Sequence, residues 1–322
     1  LRCKYCYEGT QKNNMLMSQK TALDSIKFVI RTLKENNAKK CRIAFHGGEP
    51  TLNMPIIKYI IKEFSKYTEQ YSFFYSMTTN GYSISDEDIT FISKNIDDLT
   101  VSIDGNKESH DLNRITYTGT GSYDIVVDTA KKLNENKDIR IRMTVNSTNS
   151  NMLYKNVVSL TQNGFEVIVP GIDYGDSNWE HQLFQDLENQ FEKIRMYIQK
   201  NDHIYVSSMS TEEIAKKTPC DGCINSFHIA VDGNLYPCIY VVDDSEFCMG
   251  NIYDGIHQEI LNKYNKINLM PVSVCEGCNY YDYCPSKRCK YINKKLTGDY
   301  LTPSPIVCAT ENLLLKVSKL IR

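Results

Sequence analysis

Several things are scarce in this sequence of 322 residues. No apolar run reaches the roughly 18 residues that a spanning helix needs, so no membrane segment is expected. A basic excess is also missing: Lys+Arg is 37 against Asp+Glu 39, a formal net charge of −2. Nucleic-acid and membrane-surface binders favour such an excess, so neither partner is expected. No signal-peptide pattern opens the chain, and no internal repeat or low-complexity tract interrupts it. Cysteine is absent from the whole interval between Cys41 and Cys220.

What is there is globular in character, with 41% hydrophobic and 24% charged residues,. At roughly 150 residues per domain the length suits about two domains. Residues 18–36 place Leu23, Ile26, Val29, Ile30 and Leu33 at helical spacing,. Strand-like segments follow at 41–46, 72–79, 98–103, 139–146 and 165–170. Between them lie helical stretches at 54–67, 122–136 and 151–163, and a longer one at 178–200. Ser85 and Asp88 form a capping-box pattern before Ile89,. This strand–helix rhythm predicts a parallel sheet or βα barrel, with a sixth strand expected before Leu1. The rhythm stops near 205–215. Residues 218–310 are rich in Cys, Tyr and Asn, and metal ligation would supply part of their folding free energy. The expected organisation is a barrel-like domain over 1–205 and a small Cys-rich domain over 206–322.

The 12 cysteines sit in a long chain and bunch at its two ends. That argues against the disulfide framework of a small secreted protein and for metal or cluster ligands in a reducing, cytoplasmic setting. Cys3-x2-Cys6 suits an iron–sulfur cluster, a zinc ion or a redox dithiol. The C-terminal set reads Cys220-x2-Cys223, then Cys238, then Cys275-x2-Cys278-x5-Cys284-x4-Cys289, then Cys308. On spacing alone, all-thiolate zinc fits these as well as iron–sulfur does. Cys41 and Cys248 remain over and read as packed thiols.

A resemblance narrows these alternatives. LRCKYCYE (1–8) resembles the end of the CxxxCxxC signature of radical S-adenosylmethionine (SAM) enzymes. Its first cysteine would fall two positions before Leu1. FHGGEP (45–50) is similar to the GGEP motif of that family, TTNG (78–81) to its third strand end, and VSIDGNKESHDLNR (101–114) to its fourth strand. The C-terminal cysteines resemble a SPASM domain, although the usual last short spacing is three residues and here it is four.

The resemblance implies a partial (β/α)6 TIM-like barrel followed by a small Cys-rich α+β domain. It implies SAM and three 4Fe–4S clusters as cofactors. One electron from the SAM-binding cluster would break a C–S bond and release a 5′-deoxyadenosyl radical, and the protein would aim that radical. Cys3 and Cys6 would hold that cluster and Tyr5 would shield it. Gly47, Gly48 and Glu49 would meet the methionine amino group. Ser102 and Arg114, with Asn80, would hold its carboxylate or ribose. Cys220, Cys223, Cys238 and Cys289 would take one auxiliary cluster, and Cys275, Cys278, Cys284 and Cys308 the other. His46 and Asp104 are weaker candidates for substrate chemistry. The competing readings are a turn at GGEP and a solvated Arg114.

Enzymes of this kind act mostly on peptides or small proteins, fed by an external flavodoxin- or ferredoxin-like electron donor. The sulfatase-maturing branch carries an Asp directly after the cysteine equivalent to Cys238, where this chain has Ile239. An isoleucine cannot take a proton. The sequence therefore favours oxidative modification of a ribosomally made peptide, a thioether crosslink being the leading case. Formylglycine formation in a sulfatase is the alternative, and a non-catalytic metal-binding scaffold is the reading from another class. A leader-binding domain would lie upstream of Leu1 or on a separate protein.

Overall fold

Caps and apolar stripes set the first elements. Ser18 accepts from the Thr21 amide and opens a helix whose buried face is Ala22, Ile26, Phe28 and Leu33; Ser85 does the same for Asp88,. The computed structural model describes residues 1–6, 15–209 and 216–319. In chain order the elements are β1 (Arg2–Cys3), α1 (Gln19–Glu35), β2 (Lys40–Phe45), α2 (Met54–Phe64), β3 (Ser72–Thr79), α3 (Asp86–Asn95), β4 (Asp98–Ser102), α4 (Lys107–Asn113), β5 (Arg114–Ile115), α5 (Tyr123–Asn134), β6 (Arg140–Val145), α6 (Leu153–Gln162), β7 (Val167–Ile172), α7 (His181–Ile198) and β8 (Tyr205–Val206). After these come β9 (His228–Ile229), β10 (Asn234–Tyr236), β11 (Gly250–Asn251), β12 (Gly255–Ile256), α8 (Gln258–Leu269), α9 (Pro285–Arg288), α10 (Lys290–Thr297) and α11 (Pro305–Lys319).

Two compact units emerge, and neither is a single stretch of chain. The first takes Leu1–Lys12, Ser76–Glu213 and Pro305–Arg322; the second takes Asn13–Tyr75 and Ile214–Ser304. Residues 210–215, beside the expected boundary, lie outside the described residues. The physical reason for the divided stretches is visible inside the second unit. Phe28 of α1 shares one buried cluster with Leu235 of β10 and Ile252, and its ring meets Phe227 edge-on at 5.8 Å. The helix that opens the rhythm thus shares a core with the Cys-rich segment.

In the first unit the strand order is β3-β4-β6-β7-β8, all neighbours parallel. The inward residues Val101, Ile141, Met143 and Ile168 are fully buried, as strands covered on both faces require,. β3 carries the chain from one unit to the other, and in the second unit its neighbour is β2. The architecture is thus α/β, with β3, β4, β6, β7 and β8 parallel and joined by helical connections, as a partial TIM-like barrel demands,. The sixth strand of this sheet is the two-residue β8. The rest of the second unit is α+β: an antiparallel sheet of order β12-β11-β10-β9 with α8, α9 and α10. Among the described residues no helix is long and apolar enough to cross a membrane.

Candidate functional site

Polar residues at the carboxyl ends of parallel strands are where such sheets build sites. In the first unit these are Asn80 after β3, Ser102 at the end of β4 and Asp104 just beyond it. β1 runs antiparallel to β5, with Cys3 paired to Arg114 and Arg2 to Ile115. That register fixes the CxxC turn, in which the Cys6 amide donates to the Cys3 carbonyl and the Lys4 amide to that of Asn113.

Around this turn lies a buried charged cluster. Asp104 is 0% exposed and Arg114 5%. Arg114 Nε sits 3.1 Å from Asp104 Oδ2, an ion pair without the alignment of a good hydrogen bond. The Tyr5 hydroxyl donates to the same carboxylate oxygen, and Asp104 Oδ1 accepts from the Thr144 amide at 2.9 Å. The Arg114 guanidinium lies over the Tyr5 ring at 5.3 Å, and its Nη1 is 4.0 Å from Cys3 Sγ. Burial alone would lower the Arg114 pKa, but Asp104, Tyr5 and Cys3 outweigh it and the group stays charged,. Burial raises the Tyr5 pKa well above its ordinary value, with Asp104 and Cys3 adding to it and Arg114 opposing. Arg114 is therefore not a solvated surface charge. Asp104 is the acceptor that organises its neighbours.

A neutral histidine, unremarked in the sequence reading, ties this cluster together. His110 Nδ1 accepts from the Asp104 amide at 3.4 Å, so Nε2 carries the proton and meets Ser122 Oγ at 2.9 Å,. Ser122 in turn donates to the Arg114 carbonyl at 2.7 Å. Burial, with Arg114 and Lys107, depresses the His110 pKa to about 3. The unfolded chain binds this proton near the ordinary histidine value and the folded chain does not. The stabilisation from keeping His110 neutral is therefore full above about pH 6.5 and is lost as pH falls toward 3. In an NMR titration the His110 ring is expected to show no protonation shift above about pH 4. Titration near 6.5 would mean the cluster is open to solvent.

Asn80 and Ser102 are placed more loosely. Asn80 Oδ1 accepts from the Tyr82 amide at 2.8 Å in a turn, and Ser102 is buried at its strand end.

In the second unit, GGEP follows β2. Gly47 has φ +123°, a conformation that side chains rarely adopt, and an added Cβ would meet nothing within 4 Å,. A ligand can thus approach its backbone. The Gly47 amide donates to His46 Nδ1 at 2.9 Å. Glu49 accepts from the Thr51 amide and hydroxyl at 3.1 and 2.7 Å, so its carboxylate caps the next turn. Gly48 is exposed beside it. His46 also adds to the burial that lowers the His228 pKa to about 4.

The Cys-rich segment gathers thiols. The cysteines stand as thiols rather than in disulfides. Cys223 feels Cys220, Cys238 and Cys248, and Cys289 feels Cys238 and Cys220. Burial first, and then these neighbours, push the Cys223 and Cys289 thiols up to about 12. Cys223 is buried and Cys220, Cys238 and Cys289 are half-buried; burial disfavours a thiolate unless a positive centre binds it. Among the described residues no three His, Cys, Asp or Glu side chains close up enough to grip a metal ion. The one-turn helix α9, with Pro285 in its first turn, takes up the four-residue spacing between Cys284 and Cys289. Cys248 stands nearer this group than the sequence suggested, while Cys41 is half-buried on β2. Cys275, Cys278 and Cys284 share a loop region in which the Cys278 amide donates to the Cys275 carbonyl. Cys308 lies on α11 in the first unit and is exposed.

Comparison with known proteins accords with this geometry. Residues 1–149 match the Radical SAM superfamily. Among curated proteins it is 28% identical to a cysteine-type anaerobic sulfatase-maturating enzyme of Clostridium novyi (strain NT), over 89% of this chain and 83% of the relative. A counterpart from Clostridium perfringens (strain ATCC 13124) is 24% identical over 90% and 86%. In fold the chain is similar to native anSMEcpe with bound AdoMet and Kp18Cys peptide, at TM-score 0.82 and 21% identity over 99% of this chain and 93% of that one. It is also similar to Streptococcus suis SuiB bound to precursor peptide SuiA, at TM-score 0.66 and 16% identity over 95% and 72%.

Proposed function

We propose that this protein is a radical SAM maturase that oxidises a side chain of a peptide or small protein. The observation that carries the reading is the Cys3–Cys6 turn held by strand pairing against the buried Arg114–Asp104–Tyr5 cluster. It stands in a chain similar along most of its length to sulfatase-maturating enzymes. In this reading Cys3 and Cys6 hold the SAM cluster and Tyr5 walls it. Gly47, Gly48 and Glu49 take the methionine amino group, and Ser102, Arg114 and Asn80 take the carboxylate or ribose. Bound there, the cluster and SAM supply one-electron C–S cleavage and hydrogen-atom abstraction. Cys220, Cys223, Cys238 and Cys289 hold one auxiliary 4Fe–4S cluster of a SPASM domain; Cys275, Cys278, Cys284 and Cys308 hold a second. A flavodoxin- or ferredoxin-like protein supplies the electron in a reducing cytoplasm.

Likeness to the sulfatase-maturating relatives puts conversion of a peptidyl cysteine to formylglycine first. A crosslinked ribosomal peptide is the second reading, and Ile239 favours it. The turn after Cys238, Ile239–Val241, offers no carboxylate to act as base,. The test is anaerobic turnover with SAM, a strong reductant and a cysteine-bearing sulfatase peptide. The expected result is 5′-deoxyadenosine with replacement of the thiol by an aldehyde, read by mass. Loss of two hydrogens without an aldehyde would favour the crosslink. Failure to cleave SAM at full iron loading would overturn the maturase reading.

A further inference from the structure

Lys290 is placed where a lysine is costly. It is 0% exposed, and its Nζ is buried without a hydrogen-bond partner. It is also the first residue of α10, the end of a helix that repels cations,. Ser286, in the turn before it, is buried with its Oγ equally unpartnered. Nearby Lys287 is committed to Asp282, 2.6 Å away, and so adds positive charge without relieving it. Burial and Lys287 disfavour the Lys290 ammonium, and Cys275, as a thiolate, favours it. A buried ammonium without a counter-charge is among the least favourable groups a core can hold.

Building on the proposed cluster-binding role, we infer that Lys290 is the counter-charge of the auxiliary iron–sulfur cluster that Cys275 helps to hold. A cubane on four thiolates is negatively charged and becomes more so on reduction. A fixed cation in low dielectric favours the reduced state and raises the midpoint potential. Lys290 is thus a positioning and tuning residue, not a ligand.

The experiment is an EPR-monitored redox titration of the reconstituted full chain, with iron and zinc counted, for wild type, Lys290→Met, Lys290→Arg and Cys275→Ala. Lys290→Met is expected to lower the potential of one auxiliary signal by at least tenfold in the reduction equilibrium, about 59 mV for one electron. That signal is the one absent from Cys275→Ala, and Lys290→Arg keeps it near wild type. Unchanged potentials in Lys290→Met at full iron would overturn the inference and leave the maturase reading standing. Zinc in place of auxiliary iron in wild type would overturn both. Should Lys290→Met fail to hold its iron, Lys290→Arg decides. Retention by Arg supports the charge role; loss in both variants reduces Lys290 to space filling and overturns it.

Discussion

Replacing Asp104 by alanine is expected to destabilise the protein by about 3–5 kcal/mol, the range for breaking a buried ion pair from one side. The loss follows from what would remain. Arg114 would keep a guanidinium that is almost entirely out of water, with the face of the Tyr5 ring and the Cys3 sulfur beside it but no carboxylate. The Tyr5 hydroxyl and the Thr144 amide would each lose their acceptor. Asp104→Asn keeps the shape and an acceptor oxygen, so it should recover part of the loss but not the charge. Denaturant midpoints at constant slope would measure both variants against Asp138→Ala, a change at an exposed aspartate,. A loss no greater than that control would mean that the pair contributes nothing. The expectation also bears on function, because Cys3 is held opposite Arg114 on the neighbouring strand. Unpairing Arg114 releases one wall of the CxxC turn.

Much of the fold was legible because it repeats. The expected strands at 72–79, 98–103 and 139–146 lie within a residue or two of those present, since apolar periods and caps are local signals,. What escaped was short or non-local. β8 is two residues long and is a strand only because β7 pairs with it. α4 hides in a stretch without an apolar stripe and rests on Asn106, whose side chain accepts from the Ser109 amide,. α8 and α11 lay in sequence whose cysteines and tyrosines drew the eye to loops. The sharing of Phe28 between α1 and the Cys-rich sheet depends on contacts far apart in sequence, which no window of residues displays.

The site divides in the same way. CxxC, GGEP and the C-terminal cysteines stand out because their spacing is written along the chain. The pairing of Asp104 with Arg114 was not, because it depends on strand register and on the loop after β4. Lys290 was the least visible. Within the basic run SKRCKYINKK (286–295) it resembles its solvated neighbours, and only burial separates it from them.

The proposed clusters give the sharpest expected contrast. Cys6→Ala should abolish SAM cleavage while leaving the auxiliary iron in place. Cys238→Ala should lose the iron of one auxiliary cluster and keep the spectrum of the SAM-bound one. The separation is expected because the two thiols belong to different units. Cys238→Ala should also lower the melting temperature of the Cys-rich part, where the proposed ligation would supply folding free energy. Cys248→Ala is the control with most to say, because Cys248 also faces Cys223. If Cys289 is the fourth ligand, Cys248→Ala keeps full iron and Cys289→Ala does not. The reverse result would move the ligand to Cys248 and make the four-residue spacing at Cys284–Cys289 the mark of a displaced thiolate. Equal iron in wild type and Cys238→Ala would remove the first auxiliary cluster from the proposal altogether. The raised Cys223 and Cys289 thiols would then belong to packing alone.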